Sequence, residues 1–146
     1  MWFSKPKPKP RIPFFVWSER DHSVGVGMFD EEHHHLTTMM NEINEALLEE
    51  HSRLRAQKLM EKLVQETHDH FTHEEDAMKE AHFPDLEAHA AEHTALIAQA
   101  EELLRQFAMG SVSGMMFPSL LRDWLIPHMQ DYDRKCSATL RRQGLR

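Results

Sequence analysis

The chain lacks most of what would point away from a plain helical domain. A single cysteine excludes a disulfide framework and any zinc site built on four cysteines or on two cysteines and two histidines. Five glycines in 146 residues, with almost no alternating β-branched runs, argue against an all-β sandwich or barrel. No apolar run approaches the ~20 residues of a membrane span. The opening MWFSKPKPKPR has no signal-peptide apolar stretch, so the expectation is a cytoplasmic protein. Basic residues are outnumbered, 17 against 24 acidic, and the net charge of −7 disfavours nucleic acid as the main partner. There is no internal repeat, and 146 residues suit one domain with a real core. The outlying residue type is histidine, present 12 times.

Residues 1–13 read as an extended arm. Lys5-Pro6-Lys7-Pro8-Lys9-Pro10 alternates charge with proline and cannot sustain a helical ladder. Trp2 and Phe3 leave a contact with a membrane or a partner protein open beside the simpler reading of a flexible tail. Phe14, Phe15, Val16 and Trp17 form an apolar cluster that packs the arm onto the domain at 14–146, and residues 23–27 read as a loop. Four amphipathic helices follow, over about 30–50 with Asp30 as candidate N-cap, 53–80, 84–108 with Pro84 near its start, and 115–142. Short connections between long helices predict an all-α, up-down-up-down antiparallel four-helix bundle. Met39, Met40, Met60, Met78 and Met129 read as core filler, and Cys136 as a small buried apolar residue.

Titratable groups interrupt the apolar stripes. His33 is in phase with Leu36 and Met40, and His70 and Glu74 are four apart on the second helix. His89 and His93 repeat that spacing on the third helix, in phase with Leu86 and Leu96. On the fourth, His128 lies one turn after Trp124, on the stripe that includes Tyr132. Burying such groups unpaired costs several kcal/mol each, so a metal in the bundle core is the reading taken. Imidazole with carboxylate suits Fe, Zn, Cu or Ni. The donors exceed the four of one tetrahedral zinc, which implies two metals sharing bridging carboxylates.

With these residues on the page, the chain resembles the hemerythrin family, in its single-domain bacterial form. The matching elements are Asp30-x-x-His33, His70-Phe71-x-x-Glu74-Glu75-x-x-Met78, Phe83-Pro84 followed by His89-x-x-x-His93, and Trp124-Leu125-x-x-His128 with Asp133 five residues on, spanning roughly residues 17–136. The resemblance implies His89, His93 and His128 on one iron, His33 and His70 on the other, and Glu74 and Asp133 bridging them beside an oxo or hydroxo group. The first iron would be filled and the second left with one open position. There dioxygen would be held reversibly as a hydroperoxide, in a pocket lined by Leu36, Phe71, Trp124 and Leu125. The implied function is dioxygen carriage, storage or delivery rather than enzymatic turnover. The alternatives on the same site are an oxygen sensor and a peroxide- or nitric-oxide-reacting enzyme.

Several positions keep more than one reading. His33-His34-His35 offers three candidates for one ligand. Helical phase favours His33, with His34 and His35 turned about 100° and 200° away. His73 competes with His70, which alone is four residues from Glu74. His22, His51, His68 and His82 have no partner pattern and read as surface. Asp133 lies five residues after His128, about 140° around an ideal helix. It must therefore reach in from the flank, or the helix must be distorted, and Pro127 is a candidate cause. His89-Ala90-Ala91-Glu92-His93 also matches a zinc-peptidase pattern with Glu92 as base, but that leaves the other donors unexplained. A ferritin-like site would need Glu-x-x-His on two helices, and only the first helix supplies it. Nothing marks an oligomer interface.

Overall fold

The computed structural model describes residues 12–146. The greater part of the arm expected over residues 1–13 lies outside them. After the apolar segment at 14–17 comes a one-turn helix, α1 (Glu19–His22), capped by the Ser18 hydroxyl, which accepts from the Asp21 N–H. The long helices α2 (Gly27–Leu48), α3 (Arg53–Glu80) and α4 (Leu86–Ala108) follow. The final helix is a rod over 116–142 made of five segments: Met116–Leu120, Leu121–Leu125, Ile126–His128, Met129–Asp133 and Arg134–Arg142. The second and fourth of these are π-helical. Among the described residues there is no strand, and no helix is long and apolar enough to cross a membrane.

Two features at the start of the bundle depart from the sequence expectation. Asp30 is not the N-cap of α2, which begins at Gly27, one turn earlier. Its carboxylate instead accepts from the Ser23 hydroxyl at 2.6 Å and the Val24 N–H at 2.7 Å, tying down the loop that leads into the helix. His22 is not a surface residue. It is buried under Phe15 and Trp17, and its Nδ1 accepts from the Ser18 N–H at 2.9 Å. No periodicity flagged it, because a one-turn helix is too short to show any. Asn41 completes the docking of this segment: its side chain both accepts from the Phe15 N–H and donates to the Phe15 carbonyl, each at 2.8 Å.

The helix ends follow from backbone chemistry. Gly110, at φ +75°, closes α4: its N–H bonds to Phe107 O, and the Ser111 N–H reaches Gln106 O. His82 does the same for α3 at φ +53°, an uncommon conformation for a residue with a Cβ, and stays exposed there. The following Phe83 turns back into the core, as such motifs favour.

The core is in two parts. The larger packs Leu36, Met40, Ile43, Met60, Leu63, Leu96, Phe107, Phe117, Leu125 and Met129 along the bundle. The smaller joins Val24, Val26, Phe29, Met78, Phe83, Cys136 and Leu140 at the other end. Each of the four long helices crosses from one cluster to the other, and the buried titratable residues lie at the crossing. All five methionines expected in the core are there, as is Cys136.

Candidate metal centre

His33 from α2, His70 and Glu74 from α3, His89 and His93 from α4, and His128 and Asp133 from the final helix meet in one layer, every one of them buried. The two carboxylates organise the layer. Glu74 Oε1 lies 2.8 Å from His70 Nε2 and 3.2 Å from His33 Nε2, while its Oε2 lies 3.1 Å from His93 Nε2 and 3.7 Å from His89 Nε2. Asp133 divides itself the same way. Its Oδ2 sits 3.2 Å from His33 Nε2, and its Oδ1 sits 2.9 Å from His89 Nε2 and 3.0 Å from His128 Nε2. Two donor groups result: His33 and His70 with both carboxylates, and His89, His93 and His128 with the same two carboxylates. In each group the donor atoms all lie within 4.8 Å of one another.

These donors fit bound cations better than they fit each other. His70 Nε2, Glu74 Oε2 and Asp133 Oδ2 are fully enclosed and have only other donors of the layer within reach. His93 Nε2 and His128 Nε2 face each other at 3.1 Å, two ring nitrogens converging on the same space. Buried polar atoms left like this are costly, whereas imidazole and carboxylate donors in this number suit a transition metal.

The electrostatics agree. Burial alone would lower the pKa of His70, yet the Glu74 charge and hydrogen bonds with Glu32 and Glu74 raise it to about 10. His89 is likewise raised against burial, to about 11, by hydrogen bonds with Asp133, Cys136 and Glu74. Burial would raise the Glu74 carboxyl, but His70 and the hydrogen bonds from His33, His70 and His89 hold it well below its usual range. Asp133 is lowered by His128, His33 and His89 against burial and the neighbouring Glu74 charge. Positive charge is therefore what this layer binds, whether as protons or as metal.

Asp133 joins the site through the π segments. A π turn closes on the fifth residue rather than the fourth. The Arg134 N–H accordingly bonds to Met129 O, and residues 128 and 133 share a face instead of standing 140° apart. The stretch Leu121–Leu125 precedes Pro127, and the Ile126 N–H reaches back to Leu121 O. Pro127 has no N–H, and its ring crowds the carbonyl four residues earlier in an α turn; the widened turn is where that crowding is relieved.

Outer partners hold two of the imidazoles, and sequence reasoning missed both. Glu32 accepts from His70 Nδ1 and, at 2.7 Å, from His73 Nδ1. Glu75 accepts from His93 Nδ1 at 2.8 Å. A carboxylate only accepts, so each of these rings carries its Nδ1 hydrogen outward and can turn a bare Nε2 inward. The available signal was sequence adjacency, since Glu32 precedes His33 and Glu75 follows Glu74. His34, His35 and His73 are exposed and outside the cluster, as are His51, His68 and His82. Glu92 is not among the converging donor atoms, and His89 and His93 converge with donors from α3 and the final helix.

Four apolar residues are expected around the site. Leu36, Phe71 and Leu125 are buried and Trp124 is partly so. Phe71 stacks on His93 with ring centroids 3.7 Å apart and planes within 4°, and Trp124 stacks on His128 at 5.1 Å. Tyr132 is the exception to the core stripe read for the final helix. It is 39% exposed and covers the outer face of His128.

Comparison with known proteins agrees with this layout. The family model described as the hemerythrin HHE cation binding domain matches residues 24–137. A bacteriohemerythrin of Stenotrophomonas maltophilia is 27% identical over 123 residues, covering 84% of this chain and 79% of its own. That of Ralstonia nicotianae is 28% identical over 134 residues, 91% and 93% of the two chains. A crystal structure of wild-type hemerythrin superposes with a TM-score of 0.81 at 25% identity, covering 87% of this chain and 98% of that one. A point mutant of hemerythrin gives 0.82 at 24%. The matched span contains every converging donor, and the chain belongs to the hemerythrin family.

Proposed function

We propose that the chain binds dioxygen reversibly at a pair of iron ions held by His33, His70, Glu74, His89, His93, His128 and Asp133. The observation that carries this reading is the division of each carboxylate between two histidine groups, one of two imidazoles and one of three. When bound, the iron pair supplies the electrons that dioxygen takes up on binding and returns on release.

The chain's own residues do the rest. Glu74 and Asp133 neutralise cations in a layer closed off by apolar clusters at both ends. Glu32 and Glu75 fix the tautomer and the direction of His70 and His93. The two-imidazole group offers one imidazole fewer than the three-imidazole group, so a metal held there would be the one left able to take a further ligand, and Leu36 lies one turn after His33 on its apolar side. Phe71, seated on His93 and close to His70 and His128, keeps water away from the layer. Exclusion of water and protons is what makes uptake reversible rather than oxidising.

Anaerobic loading with ferrous iron, followed by spectra under air and again under argon, tests this. A visible charge-transfer band that appears with air, fades under argon and returns is the expected result. A band that decays irreversibly overturns carriage in favour of peroxide or nitric oxide chemistry, and failure to bind iron overturns the ligand set.

A further inference from the structure

Among the described residues, four aromatic side chains make ring contact with the donor histidines. Phe29 and Phe71 are buried, Trp124 is partly buried, and Tyr132 alone is exposed. The Tyr132 ring lies parallel to His128, with centroids 5.2 Å apart and planes within 12°, and meets His89 edge-on at 5.7 Å. It therefore touches two of the three imidazoles in one group. It also opens onto a cavity of about 430 Å³ that it shares with His89, Phe83, Asp85, Asp131 and Lys135, a size that suits a small molecule. On the other side of the bundle, a separate cleft of about 420 Å³ between α2 and α3 reaches His70 and Leu36.

We propose that Tyr132 is where electrons reach the metal centre from outside, its ring relaying them through His128 from a small one-electron reductant of the reduced-flavin class. The inference rests on the iron reading above. A carrier whose iron has been oxidised to the ferric state is inactive until it is reduced again, and apart from the cleft at His70 the centre is enclosed by protein. Stacked rings couple a donor to a metal ligand better than saturated side chains do, and Phe83 gives an aromatic donor an apolar wall beside Tyr132, next to the Lys135–Asp85 ion pair. Each transfer oxidises the donor by one electron and takes one ferric ion to ferrous. No bond in Tyr132 breaks and no proton leaves it, and two transfers restore the pair. The opening lies beside the three-imidazole group, away from the cleft at His70, so reductant and dioxygen do not compete for one path.

The test uses the full chain loaded with iron, oxidised with ferricyanide and mixed anaerobically with photoreduced flavin mononucleotide. Tyr132→Leu is expected to slow loss of the ferric absorption by roughly tenfold or more, the scale on which a group beside a metal ligand is felt. Tyr132→Phe keeps the ring and is expected to stay near the wild-type rate. Reduction potential and iron content should match wild type in both variants, which separates the route from the driving force and from a loosened fold. A wild-type rate in Tyr132→Leu, a rate change that follows a shifted potential, or a Tyr132→Phe as slow as Tyr132→Leu would overturn the proposal alone. A wild-type protein that forms no reducible ferric centre overturns the iron reading and this inference with it.

Discussion

Replacing Glu74 by glutamine probes the layer at its centre. The carboxylate is fully buried and faces four imidazoles, at 2.8 and 3.2 Å from one oxygen and 3.1 and 3.7 Å from the other. The amide keeps the shape, removes the charge and turns an NH₂ donor toward one of the two histidine groups. Neutralising one partner of a buried pair costs about 3–5 kcal/mol, against a total stability of roughly 5–15 kcal/mol for a domain. The metal-free variant should therefore show that loss in a urea titration at neutral pH. Metal uptake should fail in both groups at once, because each loses one of its shared oxygens. His89→Ala is the contrast, since His89 belongs to the three-imidazole group only and its loss should leave the His33 and His70 group able to retain metal. Iron content after reconstitution and desalting reads this out. A Glu74→Gln protein with full iron content, or one destabilised by less than about 1 kcal/mol, would refute the claim that one carboxylate holds both groups.

Other perturbations separate the supporting parts. Glu32→Ala frees His70 Nδ1 and Glu75→Ala frees His93 Nδ1; each should weaken metal binding by about 10–100-fold, measured by competition with a chelator. Phe71→Ala empties a buried ring site against His93 and should cost about 3–5 kcal/mol. It should also speed irreversible bleaching of the oxygenated protein, and an unchanged bleaching rate would remove Phe71 from the water barrier. In the metal-free protein, His70 and His89 are raised from 6.5 to about 10 and about 11, so their stabilisation is complete below about pH 6.5 and lost as pH rises toward those values. Glu74 and Asp133 are lowered from 4.5 and 3.8, so theirs is present above about pH 4.5 and lost on acidification. Urea midpoints should thus peak between these limits, and a midpoint rising steadily from neutral to alkaline pH would contradict the assignment.

Much of this was legible in the sequence because the period of 3.6 carries both the core and the donors. Leu36, Met40 and Ile43 fix the buried face of α2, and His33 falls on it. The same logic sets His70 beside Glu74 and His89 beside His93, and separates His33 from His34 and His35. What periodicity could not supply was anything that breaks the period or lies across it. Glu32 sits on the flank of α2 and reaches His70 on a different helix. His22 is buried by the chain before the bundle, not by its own helix. Tyr132 shares the turn of His128 yet ends up at the surface, because the ring it covers already fills the interior.

Asp133 shows how a departure from regular helix can be worth its cost. Two carboxylates are needed on the bundle axis, and Glu74 reaches it from a regular helix. The final helix must bring both an imidazole and a carboxylate to that same layer. At α-helical spacing a residue four after His128 shares its face, and that place is taken by Tyr132, which covers His128 from outside. Widening the turn over Met129–Asp133 carries the next residue inward, so that Asp133 Oδ1 meets His89 and His128 while Oδ2 meets His33. One helix thus supplies an inward imidazole, an inward carboxylate and an outward ring within a single turn and a half. A regular α-helix here would keep the fold and its apolar clusters, but only Glu74 would be left to join the two histidine groups.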